Sequence, residues 1–152
     1  MIFKIIIVLF TSLLIGCDQD DFYEDTYVNG CSRIPIIESY VLQSCNDGKY
    51  WFIDIKTKGY GSKQIGEIQK IGRLDSVFVL YAYDEYKSSP FVSYPFWYIS
   101  LLNKNQVYVF NKQEEYERFV DSLGYGDLKL YDANQLYSQF KTTGELPWHK
   151  KQ

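Results

Sequence analysis

The chain has 152 residues, 19 of them acidic and 16 basic, for a formal net charge of −3. Apart from the terminal Lys150-Lys151 there is no basic block or stripe, which argues against nucleic acid as the main partner. Aromatic residues make up 18% of the chain, including 15 Tyr, 10 Phe and 3 Trp, and this composition favours strands.

Residues 1–16 read as a targeting segment. Lys4 supplies a positive charge, and the apolar run from Ile5 to Ile15 is broken only by Thr11 and Ser12. That run falls short of the about 20 apolar residues a membrane span needs, but it fits the apolar core of a signal peptide. Leu14-Ile15-Gly16-Cys17 follows, with Leu three positions before the expected cut, a small Gly just before it and Cys just after. This resembles the lipobox of bacterial lipoproteins. The resemblance implies cleavage before Cys17, diacylglycerol on its sulfur and a further acyl chain, such as palmitate, on the new amino group. Acyl chains at about 0.8 kcal/mol per buried CH₂ anchor a protein durably. The expected membrane contact is therefore this lipid anchor, in the cell envelope. Asp18-Gln19 resembles the signal that holds enterobacterial-type lipoproteins at the periplasmic face of the inner membrane. In other Gram-negative groups, acids after the cysteine resemble a surface-export signal, so an outer-membrane or surface address stays open.

Removing Lys4 with the leader leaves 15 basic against 19 acidic residues, a net charge of −4. Residues 17–30 read as a lipidated tether, with Asp18, Asp20, Asp21, Glu24 and Asp25 forming an acidic stretch that stands off anionic headgroups. Once Cys17 is lipidated, Cys31 and Cys45 remain as a pair, and export to an oxidising compartment makes a disulfide the expectation. It would close a loop worth about 3 kcal/mol and pin the first ordered segment to the strand after Cys45. Two cysteines and one remote His149 do not make a tetrahedral metal set.

Residues 31–145 read as one domain, with 146–152 an irregular tail. A strand is expected from Ile36 to Gln43, then a turn at Asn46-Asp47-Gly48. From Tyr50 to Lys56, Trp51, Ile53 and Ile55 alternate with Tyr50, Phe52 and Asp54, which is a strand by period two. Ile65 to Leu74 is read as a short strand because Gly66 and Gly72 weaken a helix. Val77 to Tyr83 is apolar on both faces and so suits a central strand. A loop spans Asp84 to Tyr94. Phe96 to Leu102 and Val107 to Phe110 form strands about a turn at Asn103-Lys104-Asn105. A helix then starts at an Asn111 cap with Glu114 as its capping-box partner, buries Tyr116, Phe119, Val120 and Leu123, and ends at Gly124. A second helix runs from an Asp132 cap to about Gly144 over Leu136, Tyr137 and Phe140. Strands followed by helices imply an α+β domain, an antiparallel β-sheet with one or two C-terminal helices packed on one face.

The run Phe96-Trp97-Tyr98-Ile99, then Val107-Tyr108-Val109-Phe110-Asn111, then a helix with Glu114, Tyr116 and Phe119 before Leu123-Gly124, resembles small uncharacterised bacterial lipoprotein and secreted-domain families. The similarity covers about residues 76–130. Those families carry no catalytic residues to transfer.

No catalytic constellation emerges. His149 lies in the tail, a poor place to hold a base rigidly beside a nucleophile. Gly59-Tyr60-Gly61-Ser62-Lys63 lacks the glycine spacing of a phosphate loop. Asp54, Asp84 and Glu85 are the carboxylates on which a hydrolase would have to rest. Neither a metal nor a cofactor is expected. The most suggestive feature is the aromatic density around a Pro-containing loop: Tyr83, Tyr86, Phe91, Tyr94 and Trp97. Such residues recur at binding hot spots, although they also fill cores. The expectation is a non-enzymatic, membrane-tethered module that binds a protein partner, in its most specific form an immunity protein. An envelope structural or assembly lipoprotein, binding cell wall or a membrane complex, is the alternative; a carboxylate-dependent hydrolase is the third.

Overall fold

A computed structural model describes residues 22–23, 26–57, 61–85 and 93–149. The leader, Cys17, half of the expected tether, Tyr86 and Phe91 lie outside the described residues. Alternating and doubly apolar stretches form a run of antiparallel strands: β1 (Tyr27–Val28), β2 (Cys31–Ile37), β3 (Tyr40–Ser44), β4 (Ile53–Thr57), β5 (Gly61–Ile65), β6 (Ile68–Leu74), β7 (Val77–Glu85), β8 (Ser93–Leu101) and β9 (Gln106–Phe110). Helix α1 (Gln113–Ser122), the short strand β10 (Tyr131–Asp132) and helix α2 (Ala133–Thr143) complete the chain. The strands pair as β1-β2-β3, β4-β5 and β10-β6-β7-β8-β9, all antiparallel. A single pair of hydrogen bonds between Gln43 and Phe52 joins β3 to the residue before β4. The α+β class and the antiparallel sheets are as expected.

β7 decides the layering. Phe78, Leu80 and Ala82 point to one face and Val77 and Val79 to the other, and all five are at most 2% exposed. Burial of a strand on both faces needs cover on both. On the first face, Phe78, Leu80 and Tyr98 pack with Ile34, Ile36 and Leu42 of β2–β3, Ile53, Ile55 and Ile65 of β4–β5, and Leu136 and Phe140 of α2. On the second, Val77, Val79, Trp97, Ile99 and Leu101 pack with Tyr116 and Val120 of α1. The two helices therefore divide between the faces instead of packing on one as expected, because each face of β7 is apolar enough to require one.

Local signals account for several boundaries. Asp132 caps α2, its carboxylate accepting from the N–H groups of Asn134 and Gln135 at 3.0 and 2.9 Å, and Gly144 ends the helix at φ 71°. At the end of α1, Gly124 takes φ 79°, its N–H donating to the Asp121 carbonyl and that of Tyr125 to the Val120 carbonyl, the paired bonds of a Schellman motif. The N-terminus of α1 departs from expectation. The helix begins one residue later, Lys112 holds the cap position, and no side chain caps it. Lys112 Nζ pairs instead with Glu115 at 3.1 Å.

Three further expectations are corrected. The stretch from Ile36 to Gln43 is not one strand: Glu38-Ser39 reverses the chain, with Ser39 at φ 76°, and makes it a hairpin. Ile65 to Leu74 is likewise divided at Gly66-Glu67, with Glu67 at φ 51°. Residues 146–149 form a packed turn rather than part of an irregular tail. Leu146 and His149 exchange backbone hydrogen bonds, Leu146 is 1% exposed, and the Trp148 indole donates to the Pro35 carbonyl at 3.2 Å. His149 stacks on Tyr23 at 3.8 Å between ring centroids, and the Tyr23 hydroxyl accepts from Arg73 at 3.2 Å. Ordered structure also begins before Cys31, with Tyr27 and Val28 paired to Ser32 and Cys31.

Cys31 and Cys45 form a disulfide. They flank the Ser32–Ser44 pair at the open end of the β2–β3 hairpin. The bond thus ties β2 to β3, the strand before Cys45 rather than the one after it.

Candidate functional site

The second face of the five-stranded sheet is only partly covered. Register places Tyr81 of β7 opposite Trp97 of β8, and Tyr83 opposite Pro95. Alternation puts Tyr81, Tyr83 and Trp97 on the same face as Val79 and Ile99. Helix α1 lays Tyr116 and Val120 onto this surface, one turn apart. Trp97 stacks with Tyr116 at 5.7 Å and 16° between ring planes, and Tyr81 lies 5.0 Å from Trp97. A chain segment bearing Gly126, Leu128 and Leu130 flanks them, passing so close to β6 that any side chain at Gly72 would collide with the Lys129 carbonyl. The result is an open groove of about 740 Å³. Tyr81, Pro95 and Trp97 lie on its sheet side, Lys70 comes from β6, and Gln113, Tyr116, Glu117, Val120 and Asp121 come from α1.

The groove is polar at its edges. Glu117 accepts from the Gln113 amide at 2.7 Å. Lys70 Nζ sits 5.9 Å above the Tyr81 ring. The Tyr81 hydroxyl donates to that of Tyr83 at 3.4 Å. This bond, followed by burial, pushes the Tyr81 pKa up to about 12, because both favour the neutral phenol. Burial also raises the Tyr116 pKa, and the negative charges of Glu117 and Asp121 add to that rise.

The residues singled out from sequence are scattered. Tyr83 is exposed at 37% beside the groove. Trp97, 9% exposed, is a core residue that reaches the groove. Tyr94 pairs in register with Asp84. Tyr86 and Phe91, like Cys17, lie outside the described residues. The structure thus brings Tyr83 and Trp97 to one neighbourhood and supplies other neighbours that sequence reading missed: Tyr81, Tyr116, Glu117 and Asp121. A signal for the acids exists in Glu117 and Asp121, four apart on a helix and directly beside the apolar Tyr116–Val120 row. The pairing of Tyr81 with Trp97 has no local signal. Among the described residues, no group of three His, Cys, Asp or Glu side chains could hold a metal ion, and no helix is long and apolar enough to cross a membrane. Asp54 is exposed on β4.

Comparison of the chain with protein-family models, with curated proteins and with solved structures gives no match.

Proposed function

We propose that this protein is an exported lipoprotein anchored through Cys17, whose folded domain is a non-enzymatic module that binds a protein partner through the groove beside α1. An immunity protein held at the envelope is the most specific form of this reading. The observation that carries it is the uneven cover of the central sheet: one face is closed by strands and a helix, while the other leaves buried aromatic rings at the base of an open groove. Tyr and Trp at the base of a pocket supply contact area at small entropic cost, as binding hot spots require. The Cys31–Cys45 disulfide suits an oxidising compartment.

Two measurements test the reading. Intact mass spectrometry of the membrane-extracted protein should give residues 17–152 plus acyl chains, less two hydrogens for the disulfide, and Cys17→Ala should abolish the acyl mass. Crosslinking in intact cells should capture a partner with the native chain and with Gln139→Trp, on the exposed surface of α2, but not with Gln113→Trp, which fills the groove. Equal capture by both variants would remove the groove from the proposal, and an unlipidated native mass would remove the anchor.

A further inference from the structure

The rings in the groove offer edges rather than faces. One face of Trp97 is taken by Tyr116 and its flank by Tyr81, while the ring of Tyr81 lies under Lys70. Stacking of a planar or sugar ring on this floor is therefore disfavoured. What the rings present is polar atoms. Tyr116 and Trp97 are 8% and 9% exposed. Neither the Trp97 indole N–H nor the Tyr116 hydroxyl has a hydrogen-bond partner among the described residues. No buried side-chain nitrogen or oxygen among those residues is left unsatisfied, so both polar atoms keep some solvent exposure, on side chains that line the groove.

The charges are unbalanced in the same place. Glu117 and Asp121 occupy successive turns of α1 on the groove wall, and Lys70 is the one cation among the described lining residues. Glu117 is bonded only by a neutral amide, and Asp121 has no side-chain hydrogen bond or ion pair with any described residue. Burial is the larger cause of the raised Tyr116 pKa, and the negative charges of these two carboxylates add to it. An exposed pair of carboxylates whose charge reaches the Tyr116 phenol is matched by a donor-rich cation, and an indole N–H without a partner among the described residues is matched by a carbonyl oxygen. A polypeptide carrying a basic side chain holds both groups a few ångströms apart.

Resting on the groove as the binding site, we propose that its ligand is a basic residue of the partner polypeptide, the cationic head meeting Glu117, Asp121 and the Tyr116 hydroxyl, and a backbone carbonyl meeting the Trp97 indole N–H. The charge-assisted bonds supply specificity.

The probe is a neutral-capped pentapeptide with one central arginine, set against its twin with citrulline, which keeps the shape and loses the charge. Both are titrated into the full chain in mild detergent while the indole N–H resonances of Trp51, Trp97 and Trp148 are followed by NMR. The arginine peptide should shift the Trp97 signal saturably and leave the other two in place, and the citrulline twin should bind about tenfold more weakly or worse. The double variant E117Q/D121N, whose substitutions are exposed and isosteric, should lower arginine binding to the citrulline level with the three signals otherwise unmoved. Equal binding of the two peptides, unchanged binding by the double variant, or no shift at Trp97 would each overturn the proposal. If the arginine peptide fails while Gln113→Trp still abolishes crosslinking to the partner, the groove stands and only the cation chemistry falls; if crosslinking is also indifferent to the groove, both fall.

Discussion

The two faces of the central sheet are built from the same strands and covered in different ways. On one, isoleucines and leucines of β2–β5 and α2 interlock with Phe78 and Leu80, and Ile34, Ile36, Leu42 and Phe140 are wholly buried. On the other, a single ten-residue helix rests Tyr116 and Val120 on Trp97, leaving Phe119 and Leu123 only half-buried. Sheet-on-sheet packing fills space in two dimensions, whereas one helix covers a stripe. The first face is thus invested in stability, and the second keeps a groove at the helix's margin. Capping follows the same division, since α2 has its Asp132 cap and α1 has no side-chain cap.

The largest expected effect compares one chemistry on the two helices. Phe140→Ala should cost about 3–5 kcal/mol, the range for deleting a fully buried aromatic. Phe119→Ala, half-buried on α1, should cost roughly 1–2 kcal/mol. Urea unfolding of the oxidised protein measures both. Equal costs would mean that the faces differ in appearance only. The next effect concerns how the closed face is held. Replacing both Cys31 and Cys45 by Ser should lower stability by about 3 kcal/mol, from the unfolded-chain entropy released when a loop of this length is opened. A loss near zero would show that packing alone holds the β2–β3 layer.

The smallest effect sits on the open face. The Tyr81 pKa is raised in the folded state, to about 12. Its stabilising contribution is therefore full below the ordinary tyrosine value near 10, and is lost as pH climbs through about 12. Alkaline unfolding of Tyr81→Phe should accordingly show a shallower fall in stability across that window than the native chain. Identical slopes would show that the Tyr81–Tyr83 pair contributes no pH-dependent stability.

Much of the closed face was legible in the sequence. The doubly apolar Val77–Tyr83 run marks the central strand, Trp51-Ile53-Ile55 marks an inward face by alternation, and Asp132 and Gly144 bracket α2. The failures have physical causes. Glu38-Ser39 and Gly66-Glu67 lack the Asn-Gly chemistry that announces a two-residue turn, yet they place Ser39 and Glu67 at positive φ once the flanking strands pair. Asn29-Gly30 is such a signal, with both residues at positive φ, but the acids before it made the stretch read as tether. The burial of Leu146 and Trp148 depends on contacts with residues a hundred or so positions away, and period analysis is blind to these. The groove was the least legible feature of all, because it is made by strand register and by where one helix stops.

The stack of His149 on Tyr23 fastens the beginning of the fold to its end. Only six residue steps separate Cys17 from Tyr23, and a fully stretched chain covers about 20 Å over that span. With the lipid on Cys17 proposed above, this is the length of the leash: the pole carrying Tyr23, Arg73 and His149 would face the bilayer, and the domain would lean from that point rather than roam. A partner would then have to approach within a shallow layer above the headgroups, where a two-dimensional search replaces a three-dimensional one.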